Sequence, residues 1–233
     1  MSAISIEVES AVLRAALLFA GGAGAPSRTQ WVHLDLGLDG GRVVTCCGKT
    51  MFIARIECSV PERTKLNLPI SLVKDICGQK GLTVKVSAGA DTGMGRTIVL
   101  DCGGMSISGY VDNSFEFFPY LTAVPETTSG EPAQYHPEFL ARALKALDIL
   151  IPRKGKAKKE LTPFCGVRTN GDKPGVMEVT PDVLVVIAPY NTGLDAGKLS
   201  TPEYACKAPL DGKSMRLCDH VEMARKGIAL KAA

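Results

Sequence analysis

Two adjacent cysteines, Cys46 and Cys47, run into Gly48-Lys49-Thr50, the tripeptide that ends a phosphate-binding loop. Three chemistries start from these residue types: phosphate binding through the glycine and lysine, a soft-metal or redox pair, or catalysis by a single thiolate. A phosphate loop needs a first glycine five positions before Gly48 and a helix after Thr50, so that backbone N–H groups wrap the anion. Val43 occupies that position, and Met51-Phe52-Ile53-Ala54 reads as a strand, so nucleotide binding is not expected. No CxxC pair occurs among the eight cysteines, and no histidine lies close to Cys46-Cys47 in sequence. The usual metal-ligand spacing is therefore missing. Lys49 would depress a thiol pKa only where that thiol is exposed; the competing reading is strand-end cysteines packed into a core.

The remaining reactive residues form no clear constellation. His33, His136 and His220 are the only histidines, and none has a ligand partner at helical spacing. Cys218-Asp219-His220 is a short polar cluster in a weakly patterned tail. Cys165 with His136 and an unidentified acid would make a thiol hydrolase, but no flanking nucleophile signature accompanies it. The acidic residues are scattered. No catalytic residue, metal or cofactor is expected. The most concentrated charge is Arg153, Lys154, Lys156, Lys158 and Lys159, five cations in seven residues. Such a run is either a solvated loop or a contact for a polyanion such as nucleic acid.

The elements that would position these groups are legible from periodicity. The chain has 233 residues, 45% apolar and 22% charged, with net charge +3, enough for one large domain or two of about 100 to 120 residues. No apolar run reaches the roughly 18 residues of a membrane span. Ala11 to Ala20 follows Glu7 and Glu9 instead of a basic region, which makes it a poor signal peptide and a cytoplasmic location the default. Ile4 to Val8 alternates as a strand; Val12, Leu13, Ala16, Leu17 and Ala20 then recur at helical spacing, with Ser10 as the expected N-cap. Trp31 to Gly37 and a strand through Val43-Val44 form a hairpin about Asp39-Gly40-Gly41. Phe52 to Cys58 and Lys65 to Leu68 are further strands. A second helix starts after Pro69, burying Leu72, Val73 and Ile76. Leu82 to Ser87, Thr97 to Asp101 and Met105 to Tyr110 complete an order β-α-β-β-β-β-α-β-β-β.

A polar Gly/Pro-containing linker, Thr127 to Pro132, separates this unit from the rest. Pro137 to Leu150 is a helix with Pro137 at N1 and an apolar stripe of Phe139, Leu140, Ala143, Leu144 and Leu147. Phe164 to Thr169, Gly175 to Val179 and Val183 to Ala188 read as strands. After Asn191 the pattern weakens, with a helix suggested only at His220 to Leu230.

This ordered pattern resembles a domain of the bacterial sliding clamp, the β subunit of DNA polymerase III. "ISIEVESAVLRAALLFAGG" is similar to that domain's opening strand and helix, and "GGRVVTCCGKTMFIARI" to its hairpin with a Gly-containing turn. "LNLPISLVKDICGQ" resembles the strand, proline and second helix. "GMSISGYVDNSFEFFPYLTAVPE" resembles the closing segment, with Phe118, Pro119, Tyr120, Val124 and Pro125 on its marked positions. "YHPEFLARALKAL" and "PGVMEVTPDVLVVIAP" are similar to a helix and the concluding hairpin of the family's last domain.

The resemblance implies an α+β, DNA-clamp (processivity fold) architecture, with antiparallel sheets outside and paired helices inside. It divides the chain into a clamp-like domain (1–126), a linker (127–133), a second, incomplete clamp-like domain (134–190) and a tail (191–233). It also implies a non-enzymatic processivity factor that encircles duplex DNA as a homo-oligomeric ring and tethers a polymerase or other clamp-binding peptides. A two-domain subunit would close a trimer of six domains; a dimer is the other option. Cations on the helices would then face phosphates without reading bases. The candidates are Arg14, Lys74, Lys80, Arg142 and Lys145, with Arg153, Lys154, Lys156, Lys158 and Lys159 in the basic loop. Each is equally readable as a solvated surface charge. The rival readings are a clamp-fold binding module that does not encircle DNA, and a cysteine-dependent enzyme.

Overall fold

A computed structural model describes residues 3–22, 24–78, 82–112, 119–151, 166–190, 207–210 and 213–216. The chain divides into two units, residues 1–191 and 192–233. In the second, β12 (Lys207–Leu210) pairs antiparallel with β13 (Lys213–Arg216). The tail was expected to be weakly patterned; the Asp-Gly pair between these strands is the sequence signal for this hairpin.

The first unit is built from a repeated βαβββ pattern. In the first copy, β1 (Ile4–Glu9) runs directly into α1 (Ser10–Leu17), followed by β2 (Trp31–Gly37), β3 (Gly40–Cys46) and β4 (Thr50–Ile56). In the second, β5 (Thr64–Pro69) runs into α2 (Ile70–Cys77), followed by β6 (Thr83–Ala88), β7 (Gly95–Cys102) and β8 (Met105–Asp112). The copies exchange their first strands. One sheet has the order β1-β6-β7-β8, and in the other β5 pairs with β2 ahead of β3 and β4. Each helix start is fastened by its exchanged strand: Ser10 N–H donates to the Leu82 carbonyl (2.8 Å) and Ile70 N–H to that of Gln30 (3.4 Å). Ser10 is therefore the buried first residue of α1 and not the side-chain N-cap expected from sequence. A strand that enters a helix without a loop leaves no exposed turn for a serine cap, so backbone pairing satisfies the N–H instead.

A third, shorter copy follows the linker. It comprises α3 (Pro137–Leu150), β9 (Val167–Arg168), β10 (Gly175–Thr180) and β11 (Val183–Ile187). Strand β11 adds antiparallel to β4, with Val185 opposite Phe52, so one sheet of order β5-β2-β3-β4-β11-β10-β9 spans the first and third copies. All strand pairings in both sheets are antiparallel. The helices pack side by side, with α1 touching both α2 and α3. A continuous core behind them takes Leu13 and Phe19, Val32, Leu34 and Leu36 from β2, and Val185 and Ile187 from β11. Phe19 and Phe52 stack with centroids 5.4 Å apart, a contact worth about 0.5–1.5 kcal/mol beyond burial. Thr45 Oγ1 donates to the Ala16 carbonyl at 2.7 Å, fixing α1 on β3 without leaving the buried hydroxyl unpaired.

The opposite face of the seven-stranded sheet is also covered at its centre. Tyr120 and Val124, from the segment after β8, pack on Val44, Cys46, Met51, Val176 and Val186. Where α2 approaches β8, a Cβ on Gly109 would lie 2.5 Å from Leu72 Cδ1, so a larger residue there would displace the Leu72 side chain.

Candidate functional site

The Cys46-Cys47 stretch closes the β3–β4 hairpin. Gly48 takes φ +87°, a left-handed conformation that favours glycine, and Cys47 N–H donates to the Thr50 carbonyl at 3.0 Å. A strand, β4, follows, as the expectation against phosphate binding required. The two thiols diverge because neighbouring strand residues point to opposite faces. Cys46 joins the cluster under Tyr120, and burial raises its pKa. Cys47 points towards α3. Its Sγ lies 3.1 Å from Thr50 Oγ1 and 3.7 Å from Arg142 Nη1, which donates to it. Burial alone would raise this thiol, yet bonds from Thr50 and the backbone of Lys49 and Thr50, with the Arg142 charge, hold it below its ordinary value. The pair is thus no dithiol chelate. Cys77, beside Cys102, is pushed up to about 11, chiefly by burial.

The other singled-out residues have structural roles where they are described. His33 is buried, its Nε2 donating to the Arg28 carbonyl (3.2 Å) and its Nδ1 2.6 Å from the Asn67 carboxamide. His136 caps α3, with Nδ1 accepting from Glu138 N–H at 3.3 Å. Cys165 and His220 lie outside the described residues. Among the described residues, no group of three or more His, Cys, Asp or Glu side chains converges as for a metal ion.

Four of the cationic candidates lie on the described helices. Arg14 on α1, Lys74 on α2 and Lys145 on α3 are exposed, each on the helix face turned from the sheets. Arg142 is half-buried, ion-paired with Glu138 one turn earlier and set over the Phe139 ring at 5.6 Å. The same helices carry Asp75, Glu138 and Asp148, so four cations meet three carboxylates. Lys80 and the basic loop Arg153 to Lys159 lie outside the described residues.

A groove of about 390 Å³ opens on the far side of the sheet, where five segments meet. The turn at Pro26 to Thr29 forms one wall and the β3–β4 turn another. Ala123 of the Tyr120 segment, Pro174 before β10, Val186 of β11 and Ala188 just after it complete it. Cys46 and Met51 supply apolar floor, while Arg28 and Lys49 are exposed at its margin. Periodicity could not reveal this groove, since its walls are far apart in the chain. Its one sequence signal was the Gly48 turn, which the resemblance aligned with a turn of the clamp domain.

No family model matches the chain, and no curated protein does. Several solved structures are similar to it. A protein described as a DNA polymerase III β subunit from Eubacterium rectale is 12% identical, with TM-score 0.59 over 82% of this chain and 66% of its own. The β subunit from Borrelia burgdorferi, solved with a natural product, gives 12% identity and TM-score 0.58 over 82% and 65%. The sliding clamp from Bacillus subtilis gives 10% and 0.56 over 81% and 64%. The chain spans slightly less than two-thirds of each of these proteins. Among the described residues no helix is long and apolar enough to cross a membrane. At such identities the likeness is one of fold: the chain has the α+β fold of the DNA sliding clamps, with two antiparallel sheets backed by three helices.

Proposed function

We propose that the protein is a sliding-clamp subunit that encircles duplex DNA as a homo-oligomeric ring and tethers a polymerase through a peptide held in the apolar groove. The observation that carries this reading is the β4–β11 pairing, which joins the first repeat to the third edge to edge in a continuous sheet. The same device, used between subunits at the open edge of β8, would close a ring and cover that edge's unpaired backbone groups. Arg14, Lys74 and Lys145 would then face the channel and contact phosphates without base selection. The groove supports the tethering part: its floor is apolar, and Arg28 and Lys49 favour an acidic or carboxy-terminal partner segment.

The test is solution mass with and without nicked circular DNA. A dimer or trimer that stays with the circle, and is released when the circle is cut, is the expected result. A monomer that elutes apart from DNA at low salt would remove the reading.

A second reading, a clamp-fold assembly module that does not encircle DNA, is favoured by one observation. The helix layer carries an excess of only one positive charge, and Arg142 is already engaged by Glu138. Oligomerisation without salt-sensitive DNA binding would select it.

A further inference from the structure

At the other end of β3, on the same sheet face as the groove, lies a larger cavity of about 820 Å³ between the β2–β3 and β10–β11 turns. Arg42 and Arg55 stand directly opposite one another across β3 and β4 on its floor. Like charges directly opposite in an antiparallel pair are destabilising, so this arrangement calls for a negative partner. The carboxylate opposite Arg42 is already engaged. Asp35, buried on β2 opposite Arg42, takes two hydrogen bonds from Arg63, at 3.0 and 2.8 Å, and a third from Tyr120 Oη at 2.9 Å. Among the described residues Arg42 reaches only the Tyr120 hydroxyl, to which it donates at 2.9 Å. Arg55 is exposed and has no side-chain partner among the described residues. Two guanidiniums therefore line the cavity, one bonded to a neutral hydroxyl and the other without a side-chain partner among the described residues.

The rest of the lining selects among anions. Asp39 and Asp182 lie on the two turns, and Glu178 is paired with Arg168 at 3.1 Å. Arg63 binds Asp35 and Arg168 binds Glu178, so Asp39 and Asp182 on the turns balance Arg42 and Arg55; a polyanion such as nucleic acid is repelled at the margin while one carboxylate suits the floor. Apolar surface adjoins it: Leu38 and Leu121 are 64% and 55% exposed and line the cavity. The volume falls in the range of sites that enclose a small ligand or a few side chains.

We propose that this cavity is a second docking site, which takes a short acidic segment of a partner protein. One Glu or Asp carboxylate would sit on the guanidinium forks of Arg42 and Arg55, and a neighbouring aliphatic side chain on Leu38 and Leu121. Planar guanidinium forks suit a carboxylate, and the apolar shelf gives the segment its direction. The site is separate from the groove and needs neither a ring nor DNA.

The probe is a pair of blocked hexapeptides of alanine and leucine with either one Glu or one Gln at the centre, titrated into the full chain. Methyl NMR signals of Leu38, Leu121, Ile53 and Leu184 report the contact. Saturable shifts with the Glu peptide, about tenfold weaker with the Gln peptide, are expected for a charge-assisted contact. Arg55→Gln should produce the same loss with a melting temperature no lower than that of the native chain, since it relieves the like-charge pair. Leu121→Ala, outside the sheet, should also weaken binding and serves if the arginine variant fails to fold. Equal affinity of both peptides, no saturation by ~10 mM, or inorganic phosphate outcompeting the Glu peptide would each overturn the site. Shifts confined to Met51 and Val186 would overturn it too, by placing the peptide in the groove.

Discussion

His33 and Asp35 stand on the face of β2 opposite Val32, Leu34 and Leu36, and in an ordinary two-layer sheet that face would meet water. Both are buried, because the turn at Pro26 to Thr29 and the Tyr120 segment cover it. Burial lowers the pKa of His33 from its ordinary 6.5, against the opposing pull of its Asn67 and Arg28 bonds. The folded protein thus holds a neutral imidazole where the unfolded chain takes up a proton as pH falls through 6.5. The sign follows: this contribution to stability is complete above that value and declines below it, by up to about 1.4 kcal/mol per pH unit until the folded group itself titrates. Asp35 does not confuse the window. The Arg63 guanidinium holds its carboxyl below the ordinary 3.8, so its contribution is present above that value and lost only at more acid pH. Thermal melts between about pH 7 and pH 5 should show a falling midpoint in the native chain and a flatter profile in His33→Gln. Equal slopes in the two proteins would deny His33 this role.

At the level of elements, the edge strand β8 carries the clearest expectation. Among the described residues it pairs only with β7, and it exposes Tyr110 and Met105, at 57% and 38%, which is unusual for a protein that leaves its edges in water. If β8 joins a second copy, Tyr110→Lys should reduce the solution mass to that of a monomer. Stability of the folded unit should change by no more than about 0.5 kcal/mol, since Tyr110 is a surface position. An unchanged mass would move the interface elsewhere. The order of these elements was legible in the sequence because each has its own short-range signature. Pro137 at N1 and the apolar stripe behind it bound α3 as observed. The start of α1 was misread at Ser10, where a strand enters a helix without a turn. Pairing across distance left no local trace: nothing in "VLVVI" states that Val185 will lie against Phe52, and buried strands read alike whichever neighbour they take. The groove and the arginine cavity depend on such pairings, which is why their residues were not foreseen.

At the scale of the whole molecule the open question is whether the helix layer touches DNA, and net charge alone does not answer it. An overall +3 is shared among many solvated groups, whereas counterion release depends on how many cations meet phosphates. Arg14, Lys74 and Lys145 sit on three adjacent helices and are exposed; Arg142, bound to Glu138, contributes little. If those three line a channel, log affinity for duplex DNA should fall linearly with log salt, and each lost contact should lower the slope by about one. The variant Arg14→Ala, Lys74→Ala, Lys145→Ala should therefore bind more weakly to every duplex sequence alike. Its salt slope should be shallower by about three per subunit, and its oligomer mass unchanged. Separate measurement of mass and slope matters, because a variant that merely disassembled would lose DNA binding by a different route. A slope equal to that of the native protein would mean that the helices face solvent and that any DNA contact comes from other parts of the chain.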